Sequence, residues 1–277
     1  MLTIDRNGRK LEYEVSGEGP ALVFLHGLGG SVNQIKSLYD AIPGVKLIVP
    51  NQQGHGESVP DWEHFGFDSL ADDVIALLDC LGIKKAVIAG ISMGAAVSLN
   101  LAVRYPSYVQ KLILIRNVWS WEAMSADRQK AYDDLGRCLE CYQESTDDDW
   151  KLWIEHFWST EGGKNVKAAR STYTENAFSL PFREDYNVLW NKKYSLLPPQ
   201  IPVSNREEIE RIMIPTLVIA CKNDFCHPFE CSEKLYHTIP GSEIIEIPSK
   251  DEDGKRHQEM INSSIRRFLF KDQNYRS

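Results

Sequence analysis

The sequence predicts an α/β fold, a mostly parallel sheet flanked by helices and interrupted by an inserted helical lobe. Three observations carry this expectation: short apolar runs suited to strands buried on both faces, amphipathic helical stretches between them, and one long stretch where strands stop and tryptophans accumulate.

Leu2 to Asp5 and Leu11 to Val15 alternate in polarity around Asn7-Gly8, a dipeptide that supplies positive φ for a tight hairpin turn. The continuous apolar runs Ala21 to Leu25, Val45 to Val49, Ala86 to Ala89 and Leu112 to Ile115 read as parallel central strands. Leu70, Val74, Leu77, Leu78 and Leu81 recur at helical spacing, and Gly82 ends that helix as a C-cap residue would. The pattern resumes with strands Thr216 to Ala220 and Ile244 to Ile247 and a last helix that carries Ile261, Ile265, Phe268 and Leu269 on one face.

Between about Val118 and about Glu208 the alternation stops. This stretch holds six of the seven tryptophans (Trp119, Trp121, Trp150, Trp153, Trp158 and Trp190) and leaves through the Pro-rich run Pro198 to Pro202. The expected organisation is a core of residues 1–117 and 209–277 with a helical insertion at 118–208. Most of the tryptophans are expected to fill the lobe's own core, and some to face a cavity beneath it.

The chain has 277 residues, 43% hydrophobic and 25% charged, with a formal net charge of -8. That charge argues against nucleic acid as a partner. No apolar stretch is long enough to span a bilayer and the N-terminus lacks a charged leader with an apolar core, so a cytoplasmic protein is expected. The six cysteines are expected as free thiols. Cys138 and Cys141 form a CxxC, but within a helical stretch and with no second CxxC, so no metal site is assigned.

Gly90-Ile91-Ser92-Met93-Gly94 lies between the strand Ala86 to Ala89 and a helix running from about Met93 to about Tyr105. A chain that reverses from strand to helix in so few residues holds the serine in a strained conformation with its hydroxyl projecting outward. Side chains at Gly90 and Gly94 would collide with neighbouring backbone, and the helix N-terminus favours a developing anion. Ser92 is therefore the candidate nucleophile.

With these residues the sequence resembles the alpha/beta-hydrolase superfamily, over essentially the whole chain outside the helical insertion. His26-Gly27-Leu28-Gly29-Gly30 directly follows a strand, like the superfamily's oxyanion loop. Asn51 to Ser58 resembles the D-x-R-G-x-G-x-S turn, with Asn51 where Asp is usual and Gln53 where Arg is usual. The span Leu70 to Ile115 is similar to that of bacterial 3-oxoadipate enol-lactonases and small carboxylesterases.

The resemblance implies an alpha/beta-hydrolase fold with a helical cap and partners in the order Ser, acid, His. Of the seven histidines, His26, His55 and His64 precede Ser92 and His156 lies in the insertion. Among His227, His237 and His257, the last is expected as base, in a loop Ser249 to Arg256 just before the final helix. Asp224 is expected as acid, with Cys221 in a position usually held by glycine, whereas Arg116-Asn117-Val118 offers no carboxylate. Asp251 and Asp253 read as solvated loop charges. The backbone N–H groups of Leu28 and Met93 are implied as the oxyanion donors.

The expected chemistry is hydrolysis of an ester, thioester or lactone of a small, largely apolar substrate through an acyl-enzyme on Ser92, with no cofactor. Carbon-carbon bond hydrolases use the same three residues, and some members of the superfamily act as ligand sensors or signalling partners with little turnover. Both readings stay open. Haloalkane dehalogenases carry Asp at the nucleophile position, and Ser92 argues against that branch.

Overall fold

The computed structural model describes residues 1–146 and 149–271. β1 (Leu2–Arg6) and β2 (Arg9–Ser16) pair antiparallel. Between them Asn7 and Gly8 take φ of 55° and 78°, as a hairpin turn matched to strand twist requires. The remaining strands are β3 (Ala21–Leu25), β4 (Lys46–Pro50), β5 (Ala86–Ile91), β6 (Val109–Ile115), β7 (Thr216–Cys221) and β8 (Glu243–Ile247). They form one eight-stranded sheet in the order β1-β2-β4-β3-β5-β6-β7-β8. β2 runs antiparallel to β4, and every pair from β4 through β8 is parallel.

Burial on both faces explains the unbroken apolar runs. On β3, Val23 and Leu25 face one core while Leu22 and Phe24 face the other, and on β6 Leu112 and Leu114 oppose Ile113 and Ile115 in the same way. α1 (Val32–Leu38) closes the second core; α2 (Phe67–Cys80) and α3 (Met93–Arg104) close the first. In α2 the buried stripe is Leu70, Val74, Leu77 and Leu78, and Gly82 follows it at φ 68°.

After β6 come α4 (Ala126–Glu144), α5 (Trp150–Ser159), α6 (Glu161–Ala168), α7 (Thr172–Ser179), α8 (Asp185–Leu189) and α9 (Lys193–Leu196). They share a separate apolar cluster that includes Leu135, Leu139, Phe157, Val166 and Phe178, and Phe157 stacks on Phe178 at 5.6 Å. Trp150, Trp153 and Trp158 pack against this cluster, whereas Trp119 sits in the main core, edge-on to Phe67 at 5.3 Å. The expectation that tryptophans line the cavity is not met: its aromatic lining is Tyr132, Tyr173, Phe178, Tyr186 and Tyr194.

α10 (Arg206–Glu210) leads into β7, α11 (Phe229–Thr238) joins β7 to β8, and α12 (Lys250–Phe270) ends the described chain. α12 departs from the expected loop. Ser249 Oγ accepts from Glu252 N–H at 3.3 Å and Glu252 Oε2 accepts from Ser249 N–H at 2.9 Å, a reciprocal cap that starts a helical turn at once. Asp253 then breaks the helix (φ -159°, ψ 89°), and its carboxylate accepts from Arg256 N–H at 2.9 Å to start it again. His257 therefore lies inside a helix. Asp251 is not a free loop charge either, because it accepts hydrogen bonds from Ser171 Oγ and, at 2.9 Å, from Tyr173 N–H, tying α12 to α7. Among the described residues no helix is long and apolar enough to cross a membrane.

Candidate active site

Ser92 is the single residue between β5 and α3, with φ 55° and ψ -115°. A side chain at positive φ is uncommon and strained, and its neighbours hold it there. Ser92 N–H donates to Ile115 O at 3.0 Å, and Ser92 O accepts from Ala95 N–H at 3.0 Å. A Cβ on Gly90 would stand 2.1 Å from Gly94 O, and one on Gly94 would stand 2.2 Å from Leu25 O. Only glycine lets strand, serine and helix approach this closely. Ser92 opens into a cavity of about 460 Å³ whose wall also includes Leu28, Arg116, Tyr173, His227 and Lys250.

The loop His26 to Gly30 lies against the serine: a Cβ on Gly27 would be 3.4 Å from Ser92 Cβ. Gly27 N–H donates to Gln34 Oε1 at 2.7 Å, Gly29 N–H to His55 Nε2 at 3.0 Å and Gly30 N–H to Gly27 O at 2.9 Å. Among the described residues none accepts from Leu28 N–H. Met93 N–H, at the first position of α3, has no acceptor inside its own helix.

Two buried histidines hold this loop. His26 Nε2 accepts from Gln52 N–H at 3.0 Å and its Nδ1 faces Gly27 O at 2.9 Å. His55 Nε2 accepts from Gly29 N–H while its Nδ1 faces Gln53 O at 3.2 Å. Each ring thus donates at Nδ1 and accepts at Nε2, which only the neutral imidazole can do. Burial pushes the His26 pKa down to about 4, and burial reinforced by Lys193 takes that of His55 well below its ordinary value. From the helical side, Asn187 Nδ2 donates to Gly29 O at 3.0 Å, Tyr194 OH to Asn187 Oδ1 at 2.9 Å and Lys193 Nζ to Gly54 O at 2.7 Å.

The motif positions that depart from the superfamily pattern are structural. Asn51 Oδ1 accepts from Val32 N–H at 2.8 Å and its Nδ2 donates to Glu12 at 2.6 Å. Gln53 donates to Asp73 at 3.1 Å and accepts from Asp61 N–H at 3.1 Å.

Asp224 lies in the loop after β7. Its Oδ1 accepts from Cys226 N–H at 3.0 Å and His227 N–H at 3.2 Å. Its Oδ2 accepts from Arg116 Nε at 3.0 Å and from Arg116 Nη2, and lies 2.9 Å from His227 Nδ1. Burial alone would raise the Asp224 pKa; the adjacent His227 and Arg116 outweigh it and hold the carboxyl below the usual carboxylate range. His257 is fully buried in α12, with Nδ1 2.8 Å from Pro248 O and no partner on Nε2. Burial, then the nearby Arg116 charge, push its pKa down to about 4. Among the described residues no hydrogen bond joins Ser92, Asp224 and His257 to one another. Ser92 shares its cavity with His227 instead, and His257 is not in the lining.

Known proteins place the chain. A family model for the alpha/beta hydrolase fold matches residues 20–136. The chain is 37% identical over 287 residues to the non-heme chloroperoxidase CPO-A1 of Kitasatospora aureofaciens, covering 96% of this chain and 98% of that one. It belongs to the alpha/beta hydrolase family. The AB hydrolase superfamily protein YisY of Bacillus subtilis is 24% identical over 276 residues, covering 91% of this chain and 92% of that one. Among solved structures, the enol-lactonase of Burkholderia xenovorans LB400 shares the fold with a TM-score of 0.70 at 18% identity, covering 97% of this chain and 99% of that one.

In this alpha/beta hydrolase the cavity wall contains residues that motif reading passed over. Arg116 directly follows β6, and Lys250 lies just beyond β8 after Pro248 and Ser249. The signal that could have found them is positional, since open parallel sheets bind ligands outside the carboxyl ends of their strands.

Proposed function

We propose that this chain is a serine-dependent hydrolase that cleaves an ester, thioester or lactone of a small substrate through an acyl-enzyme on Ser92, with the helices between β6 and β7 as its lid. The observation that carries this reading is the Ser92 elbow, strained at φ 55° and opening into the cavity that Leu28 also lines. Ser92 Oγ attacks the acyl carbon, and the oxyanion that forms takes hydrogen bonds from Leu28 N–H and Met93 N–H, each worth about 3 kcal/mol at the transition state. His257 is the proposed base and Asp224 its proposed orienting acid. In support, His257 is neutral and its Nδ1 faces a carbonyl oxygen, which leaves an Nε2 lone pair free to take a proton. His257 Nε2 has no hydrogen-bond partner among the described residues, so a bond to Ser92 Oγ would form on a change of side-chain position.

A second reading is a ligand-binding protein with little turnover. The occupation of Asp224 by Arg116 and His227 favours it, because the carboxylate that should orient a base is already taken.

One experiment separates them. A fluorophosphonate probe and a series of short p-nitrophenyl esters are applied to the wild type and to Ser92→Ala, His257→Ala and His227→Ala. Labelling and turnover that vanish in Ser92→Ala support the hydrolase, and labelling that persists in that variant defeats it. Severe loss in His257→Ala supports that base; loss in His227→Ala alone moves the role. Very slow turnover by the wild type on every ester favours the binding protein.

A further inference from the structure

One wall of the Ser92 cavity gathers cationic and hydroxyl hydrogen-bond donors. Arg116, Tyr173, His227 and Lys250 all line it. Arg116 Nη1 donates to Tyr173 OH at 3.0 Å, which leaves the phenol hydrogen free to donate onward. Arg116 Nη2 lies 2.9 Å from His227 Nδ1. The same Nδ1 lies 2.9 Å from Asp224 Oδ2, and because a carboxylate only accepts, Nδ1 carries the ring hydrogen toward it and Nε2 of the neutral ring is an acceptor.

The charges on this wall do not balance. Arg116 Cζ and Lys250 Nζ stand 4.8 Å and 4.6 Å from the centroid of the Tyr173 ring, so two cations share one aromatic ring. Asp224 compensates Arg116. Among the described residues no carboxylate pairs with Lys250: Asp251 is turned to Ser171 and Tyr173 N–H, and Glu252 to Ser249 and Asn223. Elsewhere in the lining, the Glu184 carboxylate accepts from Tyr186 OH at 2.6 Å and Asn187 Nδ2 at 2.7 Å, while Arg183 adds a further cation. Of the two cations on the Tyr173 ring, Arg116 is paired with Asp224 and Lys250 is left without a carboxylate among the described residues.

We infer that this wall binds a carboxylate carried by the substrate, so that the compound cleaved at Ser92 is a small acyl compound with a second, ionised carboxyl group. The inference rests on the serine-hydrolase reading and names its substrate class. A monoanion matches the unpaired Lys250 charge, and donors from Lys250 and Tyr173 can meet its carboxylate oxygens. Burial, then Arg116, push the Lys250 pKa down to about 8, a cost that an anion seated between the two cations removes. The apolar substrate expected from sequence becomes one with a charged end.

The test compares p-nitrophenyl butyrate with mono-p-nitrophenyl glutarate in the wild type, Lys250→Met and Lys250→Arg. The wild type should prefer the glutarate ester in kcat/KM. Lys250→Met should cut that preference about ten- to a hundred-fold, mainly through KM, and Lys250→Arg should restore most of it. An unchanged preference in Lys250→Met overturns the inference and leaves the hydrolase reading intact. If no ester is turned over, the hydrolase reading fails, but calorimetry of monomethyl glutarate with Ser92→Ala still decides the wall. Binding that disappears in Ser92→Ala with Lys250→Met supports the carboxylate site, and absence of binding to Ser92→Ala overturns it.

Discussion

Replacing Asp224 with Asn tests whether the Arg116–Asp224 pair is a buried structural ion pair. The two side chains are 1% and 3% exposed, so water screens neither charge. The amide would keep the size of the side chain and an oxygen for the Cys226 and His227 N–H groups, but not the charge opposite Arg116. A guanidinium left buried and unpaired costs about 3–5 kcal/mol, a large part of the ~5–15 kcal/mol that holds a typical domain together. Urea unfolding followed by tryptophan fluorescence reads this directly, provided the slope with denaturant is unchanged. Removing both charges, as Arg116→Met with Asp224→Leu, should recover much of the loss, because the interior no longer has to hold an ion. The pH dependence has a definite sign. The folded Asp224 carboxyl is depressed relative to the unfolded one, so its contribution is complete above the unfolded value of about 3.9 and falls as pH drops below it. Asp224→Asn should flatten that fall. A cost below about 1 kcal/mol, as for an exposed pair, or simple additivity in the double variant, would refute the reasoning.

Gly94→Ala places a methyl 2.2 Å from Leu25 O, a backbone atom of a central strand that cannot step aside. Loss of soluble protein or of probe labelling is expected, and normal labelling with unchanged stability would show that the elbow is looser than its geometry. His26 should stay neutral by NMR until pH falls to about 4, whereas in the unfolded chain it takes its proton near 6.5. Between those values the unfolded chain holds more protons, so stability should fall by about 3 kcal/mol as pH is lowered from 6.5 to 4, with no contribution from this group above 6.5. An imidazole that titrates near 6.5 in the folded protein sinks this prediction.

The fold was legible because strands buried on both faces admit no polar interruption: Val23 and Phe24 point to opposite cores and both must be apolar. The elbow was legible for a related reason, since backbone contacts near 2 Å leave glycine as the only residue for Gly90 and Gly94. The start of α12 was written in the sequence as Ser249-x-x-Glu252, a capping box that its acidic, glycine-containing surroundings disguise as a loop. The tryptophans misled because composition tells which residues a lobe buries but not which face they meet. Trp119 is held by Phe67 in the main core, and tyrosines, which can offer a hydroxyl to a polar ligand, line the cavity instead.

The site was half legible, and the missing half has a physical cause. Chain order and residue type identify the atoms able to do chemistry, but not which of them meet. Asp224 was read as the partner of an imidazole, whereas its outer oxygen faces both a guanidinium and an imidazole. Arg116 was passed over because the search after β6 was for a carboxylate, and an arginine there reads as its opposite. Yet that substitution changes what the cavity can hold. An acid beside a histidine orients an imidazole base and stabilises its charged form; an acid paired with Arg116, with Lys250 left over on the same tyrosine ring, suits the carboxylate site proposed above. The two constellations compete for one oxygen of Asp224. On the serine-hydrolase reading, how that carboxylate divides between Arg116 and an imidazole would decide whether Ser92 turns a carboxylate-bearing substrate over or merely holds it.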